Sequence, residues 1–485
     1  MSRRPPAILA IDVGSTSTKA GLIGLDGTVL AMARSSYALA SDEPGRSEQD
    51  PETWWSALVD AGHRLVASGK ADVVGIAVDG HGPTLTSVDA DGRPTRPAIT
   101  WLDTRAAAEL DELSAATGLR GWALGVLPLA LWLERHEPAV ARGTRWYLNT
   151  WEFLGLRLSG RAATTVVPGQ RLPSAADLEA HGLRASKVAP PIAAGEPLGG
   201  LTSEAAPSLG LTAGIPVIAG VVDAFASIHG AGLVAPGDAI DVGGAAGGFG
   251  VYWSKPVEAR GAFCTPAPLA GLYLVGAAMA ATGRALDWLR DELLGGSAST
   301  EQLLTEAADV PPGSDGLVFL PYLAGERSPI WDPNARGAFA GLTLHHGRGH
   351  LARAVLEASA LALRHVAEPM LAAGVRVAEM RVCGRPAESD LWNQIKADVT
   401  GFAVALPHAL ETAVVGSGIV GAVGIGAHAD VPSAIRAMTR IDRRLRPNAD
   451  HRETYDRAYE RYVELYPALA RALEPSADQP RAAIA

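Results

Sequence analysis

Ala7-Ile8-Leu9-Ala10-Ile11-Asp12-Val13-Gly14-Ser15-Thr16-Ser17-Thr18-Lys19 is the stretch whose reading decides the fold. The apolar run ending at Ile11 reads as a short buried strand. One carboxylate, one glycine, four hydroxyl residues and a lysine follow, and a second apolar run continues to Ile23. The expectation is a strand, a tight polar turn and a returning strand. Gly14 has no Cβ, so backbone can approach a ligand there. Ser15, Thr16, Ser17 and the turn N–H groups form a nest for phosphate oxygens. Lys19 adds a point charge. Asp12 is placed to hold a hard cation such as Mg²⁺, directly or through water. For a single D-x-G-[ST]-[ST], the plain alternative is an ordinary hairpin with a polar tip.

A second copy shifts that balance. Ala239-Ile240-Asp241-Val242-Gly243 repeats Ala10-Ile11-Asp12-Val13-Gly14 letter for letter, about half a chain length later. Gly244 to Gly250 then makes another turn of small residues. A repeat on this scale implies two like-built domains. Pro236-Gly237 is the turn between them, which divides the chain into 1–235 and 236–485. Two such hairpins facing each other would hold a nucleotide, with Gly243 and Gly244 serving in the second as Gly14 does in the first. This arrangement resembles the actin-like ATPase superfamily. The resemblance implies an α/β protein of two actin-like (ribonuclease H-like) domains with a nucleotide and sugar cleft between them. No G-x-x-x-x-G-K-[ST] loop occurs.

The composition fits. Of 485 residues 48% are apolar and 19% charged, enough for two buried cores. A net charge of −10 argues against nucleic-acid binding, because nothing would neutralise a phosphate backbone. Ser2-Arg3-Arg4 is basic, but too few apolar residues follow before Asp12 for a secretion leader, so a cytoplasmic protein is expected. The densest apolar run, Leu127 to Leu133, is too short to cross a bilayer. Cys264 and Cys383 are the only cysteines and read as small core hydrophobes.

Three further stretches carry chemistry. Ala77-Val78-Asp79-Gly80-His81-Gly82 leaves a strand at its C-terminal end, where α/β sheets place ligands. Its acid and imidazole, flanked by glycines, suit a small polyhydroxy ligand. Thr100-Trp101-Leu102-Asp103-Thr104-Arg105 adds an aromatic face for a sugar ring and an acid, although Asp103 can equally cap the helix that follows. Asp223 ends the apolar run Val217 to Val222. It either caps a helix or acts as a general base, taking the proton from a hydroxyl as that oxygen attacks phosphorus.

Together these segments resemble the FGGY family of carbohydrate kinases. Ile11 to Ser17 resembles the family's first phosphate motif. Gly75 to Gly82 and Pro97 to Arg105 resemble its sugar segments, and Gly220-Val221-Val222-Asp223 the segment of its catalytic aspartate. Pro321-Tyr322-Leu323-Ala324-Gly325-Glu326-Arg327-Ser328-Pro329 with Ala335-Arg336-Gly337 resembles a second-domain signature. Cys383-Gly384 through Ser389, Trp392, Gln394, Ala397-Asp398 and Gly401 resemble the adenosine segment. The resemblance implies an enzyme that closes on ATP, Mg²⁺ and a small sugar or polyol, and it suggests a homodimer. Asp223 would be the base and Asp12 would help hold the metal. Gly14, Ser15, Thr16, Ser17, Lys19, Gly243, Gly244, Gly283, Gly384 and Ser389 would approach the nucleotide. Asp79, Gly80, His81, Trp101, Asp103 and Asp223 would approach the sugar. Two departures stand out: Gly243-Gly244 replaces a Gly-Thr pair, and Arg385 replaces a second glycine.

Two other readings compete. The Gly243-Gly244 departure fits a sugar or nucleotide sensor that has lost its chemistry. Gly416-Ser417-Gly418-Ile419-Val420-Gly421 fits G-x-G-x-x-G and would suit a dinucleotide enzyme. No acid stands at a strand end about 20 residues further on, and such glycines also suit close helix packing. A helix is expected from Ile419 to Ala427.

Overall fold

The computed structural model describes residues 4–38, 45–243 and 247–473. The first half supplies β1 (Pro6–Val13), β2 (Ser17–Gly24), β3 (Val29–Ser36), α1 (Pro51–Ala67), β4 (Asp72–Gly80), α2 (Thr150–Ser159), β5 (Pro197–Gly200), β6 (Pro216–Ile218) and α3 (Asp223–Gly230). The second supplies β7 (Asp238–Gly243), β8 (Gly247–Trp253), β9 (Phe263–Pro266), β10 (Tyr273–Met279), α4 (Arg348–Ala372), β11 (Glu379–Gly384), α5 (Asp390–Thr400), β12 (Val404–Pro407), α6 (Thr412–Gly424), β13 (Ile441–Leu445) and α7 (Arg452–Leu473).

The two main sheets have orders β5-β6-β4-β1-β2-β3 and β9-β10-β8-β7-β11-β12-β13. Without β5 in the first and β9 and β13 in the second they superpose in topology. In each, three antiparallel strands (β1-β2-β3, β7-β8-β10) are followed by two that run parallel to the first (β4 and β6, β11 and β12). The letter-for-letter repeat therefore marks the central strand of each sheet. A central strand is covered on both faces, which is why it reads as an unbroken apolar run. Leu9 and Ile11 of β1 pack with Trp54, Leu58, Ala61 and Leu65 of α1. Ile8 and Ala10 face the opposite layer.

That opposite layer joins the halves. It is built from α3 and α6, which occupy equivalent places after β6 and β12, and it collects Ile8 and Ala10 with Ile240 and Cys383. The two helices touch backbone to backbone. A Cβ on Gly416 would lie 1.8 Å from the Ala226 carbonyl oxygen, and one on Gly230 would lie 1.9 Å from that of Thr412. On the sheet side, a Cβ on Gly418 would meet Ile23 at 2.8 Å and one on Gly421 would meet Ile8 at 2.6 Å.

This corrects two expectations. The helix begins at Thr412, not Ile419. Glycine is a weak helix former, so Gly416 and Gly418 mask the early turns in the sequence. The G-x-G-x-x-G run also lies inside that helix, buried, where its glycines let helices approach. It is not a strand-to-helix phosphate turn, and the dinucleotide reading falls with it. In α7, Tyr455, Tyr459 and Tyr462 are buried in the second half's core, and the Tyr322 hydroxyl donates to that of Tyr462 at 3.1 Å.

Candidate active site

Strand register brings three carboxylates together. Asp12 pairs with Asp79 across β1 and β4, and with Lys19 across β1 and β2. Residues paired across neighbouring strands point to the same side. Asp12 and Asp79 therefore continue the Ile8-Ala10 and Ala77 face, toward the layer of α3 and α6. Asp223, the first residue of α3, enters that layer from the end of β6.

The electrostatics follow from this crowding. Burial pushes the Asp223 carboxyl up to about 7, and the Asp12 charge adds to the rise; the Ala224 N–H, donating at 2.7 Å, and Lys19 partly offset it. Asp12 is also raised, first by burial, although the Lys19 ammonium 3.9 Å away pulls in the other direction. Asp79 is raised well above the usual carboxylate range: it is fully buried and faces the charges of both other acids. Ser417 of α6 donates its hydroxyl to Asp79 Oδ2, while Oδ1 has no hydrogen-bond partner among the described residues. Glu411, at the head of α6, reaches Lys19 Nζ at 2.5 Å. Sequence spacing held no signal for Glu411 or Ser417, because only packing of the halves brings α6 to β1.

The polar turn of the first hairpin is held from several sides. The Gly14 N–H donates to the Ser17 carbonyl at 3.0 Å, and the Tyr37 hydroxyl donates to the Gly14 carbonyl at 2.6 Å. Gln49 Nε2 donates to the Ser15 carbonyl at 3.1 Å. Thr16 is exposed at the tip, while Ser17 is buried.

His81 and Trp101 are linked to this turn by one hydrogen-bonded chain. His81 Nδ1 lies 2.9 Å from Thr84 Oγ1, which accepts from the Trp101 N–H at 3.2 Å. The indole Nε1 of Trp101 then donates to Ser15 Oγ at 3.1 Å. Burial lowers the His81 pKa to about 4, so its ring is neutral, and Nε2 has no partner among the described residues. Gly80 is tight against Thr150 of α2, with an added Cβ 3.0 Å from its Cγ2.

Asp103 has a different setting from the one expected. Arg105 grips both of its oxygens, at 2.8 and 2.7 Å, and the Ser47 N–H donates at 2.7 Å. Its side chain is wholly buried. That geometry braces the Trp101 loop and leaves little of the carboxylate for a sugar.

In the second half, Gly243 and Gly384 are register partners on β7 and β11. A Cβ on Gly384 would sit 2.0 Å from the Gly243 carbonyl oxygen, and its φ of 73° favours glycine. Gly244 lies outside the described residues. Ser389 caps α5 and accepts from the Trp392 N–H. Arg385 pairs with Asp287 at 2.9 Å, which ties the loop after β11 to the short helix that Gly283 precedes. Glu326 of the signature segment accepts the Ala280 and Arg327 N–H groups, at 2.9 and 2.7 Å, and so braces the approach to Gly283. The repeat is not chemically symmetric: Asp241 is buried against Lys396, so the second copy offers no unpaired carboxylate.

Carboxylate oxygens suit a hard divalent cation. Among the described residues no three His, Cys, Asp or Glu side chains form a metal cage. The donor set therefore fits an ion held by one or two carboxylates together with substrate phosphates, as Mg²⁺ commonly is. No helix among the described residues is long and apolar enough to cross a membrane.

Comparison with known proteins agrees with this architecture. Residues 7–168 match the model of the N-terminal domain of the FGGY family of carbohydrate kinases, and residues 231–425 match its C-terminal domain. The chain is 33% identical over 419 residues to xylulose kinase of Escherichia coli strain K12, covering 81% of this chain and 84% of that one. It is 26% identical over 507 residues to gluconokinase of Bacillus subtilis strain 168, covering 98% and 99%. The crystal structure of xylulose kinase from Rhodospirillum rubrum aligns with a TM-score of 0.81 at 32% identity, covering 96% of this chain and 99% of that one.

Proposed function

We infer, for a chain that belongs to the FGGY family of carbohydrate kinases, ATP-dependent phosphorylation of a hydroxyl on a small sugar, ketose or polyol, with Asp223 as general base. The observation that carries the assignment of roles is the meeting of Asp223 with Asp12 and Lys19 between the two halves.

With a pKa near 7, Asp223 is poised to take the proton of an attacking hydroxyl at neutral pH. It sits at the first turn of α3, where its charged form is favoured by the helix N-terminus once substrate displaces water. Ser15, Thr16, Ser17 and Lys19 would orient the triphosphate from the first half, and Gly243, Gly384 and Ser389 would receive the nucleotide from the second, with Gly283 beside them. Asp12 would hold Mg²⁺, which supplies charge neutralisation on the phosphates when bound. His81, neutral and with a free ring nitrogen, and Trp101 would hold the sugar, with Gly80 keeping the loop close. Asp103 would act through Arg105, as a brace. Exclusion of water between domains 1–235 and 236–485 would protect ATP from hydrolysis. The setting we propose is the cytoplasm.

The sensor reading has no observation in its favour; it rested on a turn of which Gly244 is outside the described residues. The test is coupled ADP release with a panel of ketoses, polyols and aldonates, comparing the wild type with Asp223→Asn. Turnover in the wild type and loss of at least a hundredfold in the variant is expected. An Asp223→Asn variant as active as wild type would refute the assignment of the base.

A further inference from the structure

A cavity of about 640 Å³ opens beside the proposed reaction centre. Gly82 and Val222, the immediate neighbours of His81 and Asp223, form its inner end. Asn149 and Trp151, from the head of α2, stand there as well. Asn149 Oδ1 and Trp151 Nε1 are buried and have no hydrogen-bond partner among the described residues. One is an acceptor and the other a donor, and a buried polar atom left without a partner is costly. Both therefore keep an unused hydrogen-bonding capacity at this end of the cavity, which hydroxyl groups of an acceptor would satisfy.

Away from this polar end the walls change character. The remainder is mostly apolar, with Leu119, Trp122, Leu124 and Phe225 beside the polar Thr165, Gln170 and Arg171, and Thr265 and Pro266 contributed by the second half. Trp122 is 48% exposed, a large aromatic surface left uncovered at the rim.

The size is too great for a single small sugar. A five-carbon ketose has about ten non-hydrogen atoms. Granting each atom the ~30 Å³ that a water molecule occupies in the liquid gives at most about 300 Å³, less than half of the space.

We propose that the acceptor is a sugar or polyol bearing a ring-sized, weakly polar extension at the end remote from the phosphorylated hydroxyl. The hydroxyl-bearing head occupies the end formed by Asn149 and Trp151, and the extension packs along Trp122 and Leu124. This rests on the phosphoryl-transfer reading above and narrows its substrate class.

The test compares acceptors that share a hydroxylated head but differ in bulk. D-xylulose and D-gluconate are the compact probes; lactulose, isomaltulose and phenyl β-D-glucoside are the extended ones. Each is assayed with Mg-ATP by coupled ADP release and for binding by calorimetry, using the full chain. The best extended acceptor is expected to exceed both compact ones in kcat/KM by about tenfold or more. Filling the cavity with Ala123→Trp should lower the extended-to-compact ratio by about tenfold, and the exposed-site variant Trp122→Ala should lower it without a folding penalty. Release of ADP with the compact sugars alone would overturn the cavity assignment and leave phosphoryl transfer standing. Tight binding of an extended acceptor with no ADP release from any acceptor would support the assignment and remove the phosphoryl-transfer reading. Equal losses for both acceptor classes in Ala123→Trp and Trp122→Ala would also overturn it.

Discussion

Replacing Asp223 by asparagine should make the protein more stable and less active at once. Folding raises this carboxyl from 3.8 to about 7, chiefly because it is buried and secondarily because Asp12 is near. A carboxyl whose pKa rises on folding costs stability once the pH passes 3.8, and the cost is complete above pH 7. The difference corresponds to roughly 4 kcal/mol at pH 8 and roughly 1.5 kcal/mol at pH 5. These are upper bounds, because the asparagine amide must find its own partners. Asp223→Asn should therefore resist denaturant by about 1–3 kcal/mol more than wild type at pH 8. The gain should shrink by more than half at pH 5. Turnover should fall by about 10²–10⁴-fold, since a general base commonly contributes that much. Guanidinium denaturation at the two pH values gives the first quantity, and coupled ADP release gives the second. The reasoning fails if the variant is less stable than wild type at pH 8, or if its stability gain does not depend on pH.

Other consequences can be checked together. The wild-type kcat/KM should rise with pH along a limb with an apparent pKa near 7, reporting ionisation of Asp223 in the free enzyme. Asp12→Asn should move that limb to lower pH, because it removes a negative charge that opposes ionisation of Asp223, and should raise the KM for Mg-ATP; a limb that stays in place would contradict the coupling. Gly416→Ala should lower the Tm and the turnover together, with a stability loss of about 1–3 kcal/mol, because its Cβ would lie 1.8 Å from the Ala226 carbonyl oxygen and push α3 away from α6. Glu411→Gln should leave stability within about 1 kcal/mol, as expected for a partly exposed ion pair, while lowering the KM for ATP by freeing Lys19 for phosphate; an unchanged KM at low salt would show that the pair does not compete with substrate.

The chain's own letters were enough for the duplicated sheet. An apolar run ending in Asp-Val-Gly appears twice because each copy must be buried on both faces and then turn sharply, and those demands act on neighbouring residues. The order of motifs likewise identified the carbohydrate-kinase resemblance and singled out Asp12, Lys19 and Asp223. Other features could not be read this way. The glycines of Gly416-Ser417-Gly418-Ile419-Val420-Gly421 have the spacing of a phosphate turn, and only the packing of α6 on β1 and α3 shows that they are there for contact. That Arg105 holds both oxygens of Asp103 is likewise a matter of side-chain geometry and not of spacing. Asp241 copies Asp12 in sequence but not in chemistry, because Lys396, on a helix beyond the next parallel strand, neutralises it. Glu411 and Ser417 reach the first half from nearly the far end of the chain. Local sequence dictates strands, turns and caps through interactions a few residues long. Which charge is paired, which carboxyl is pushed toward neutrality and how much room an acceptor has depend on contacts between distant segments, and those exist only once the two halves have packed.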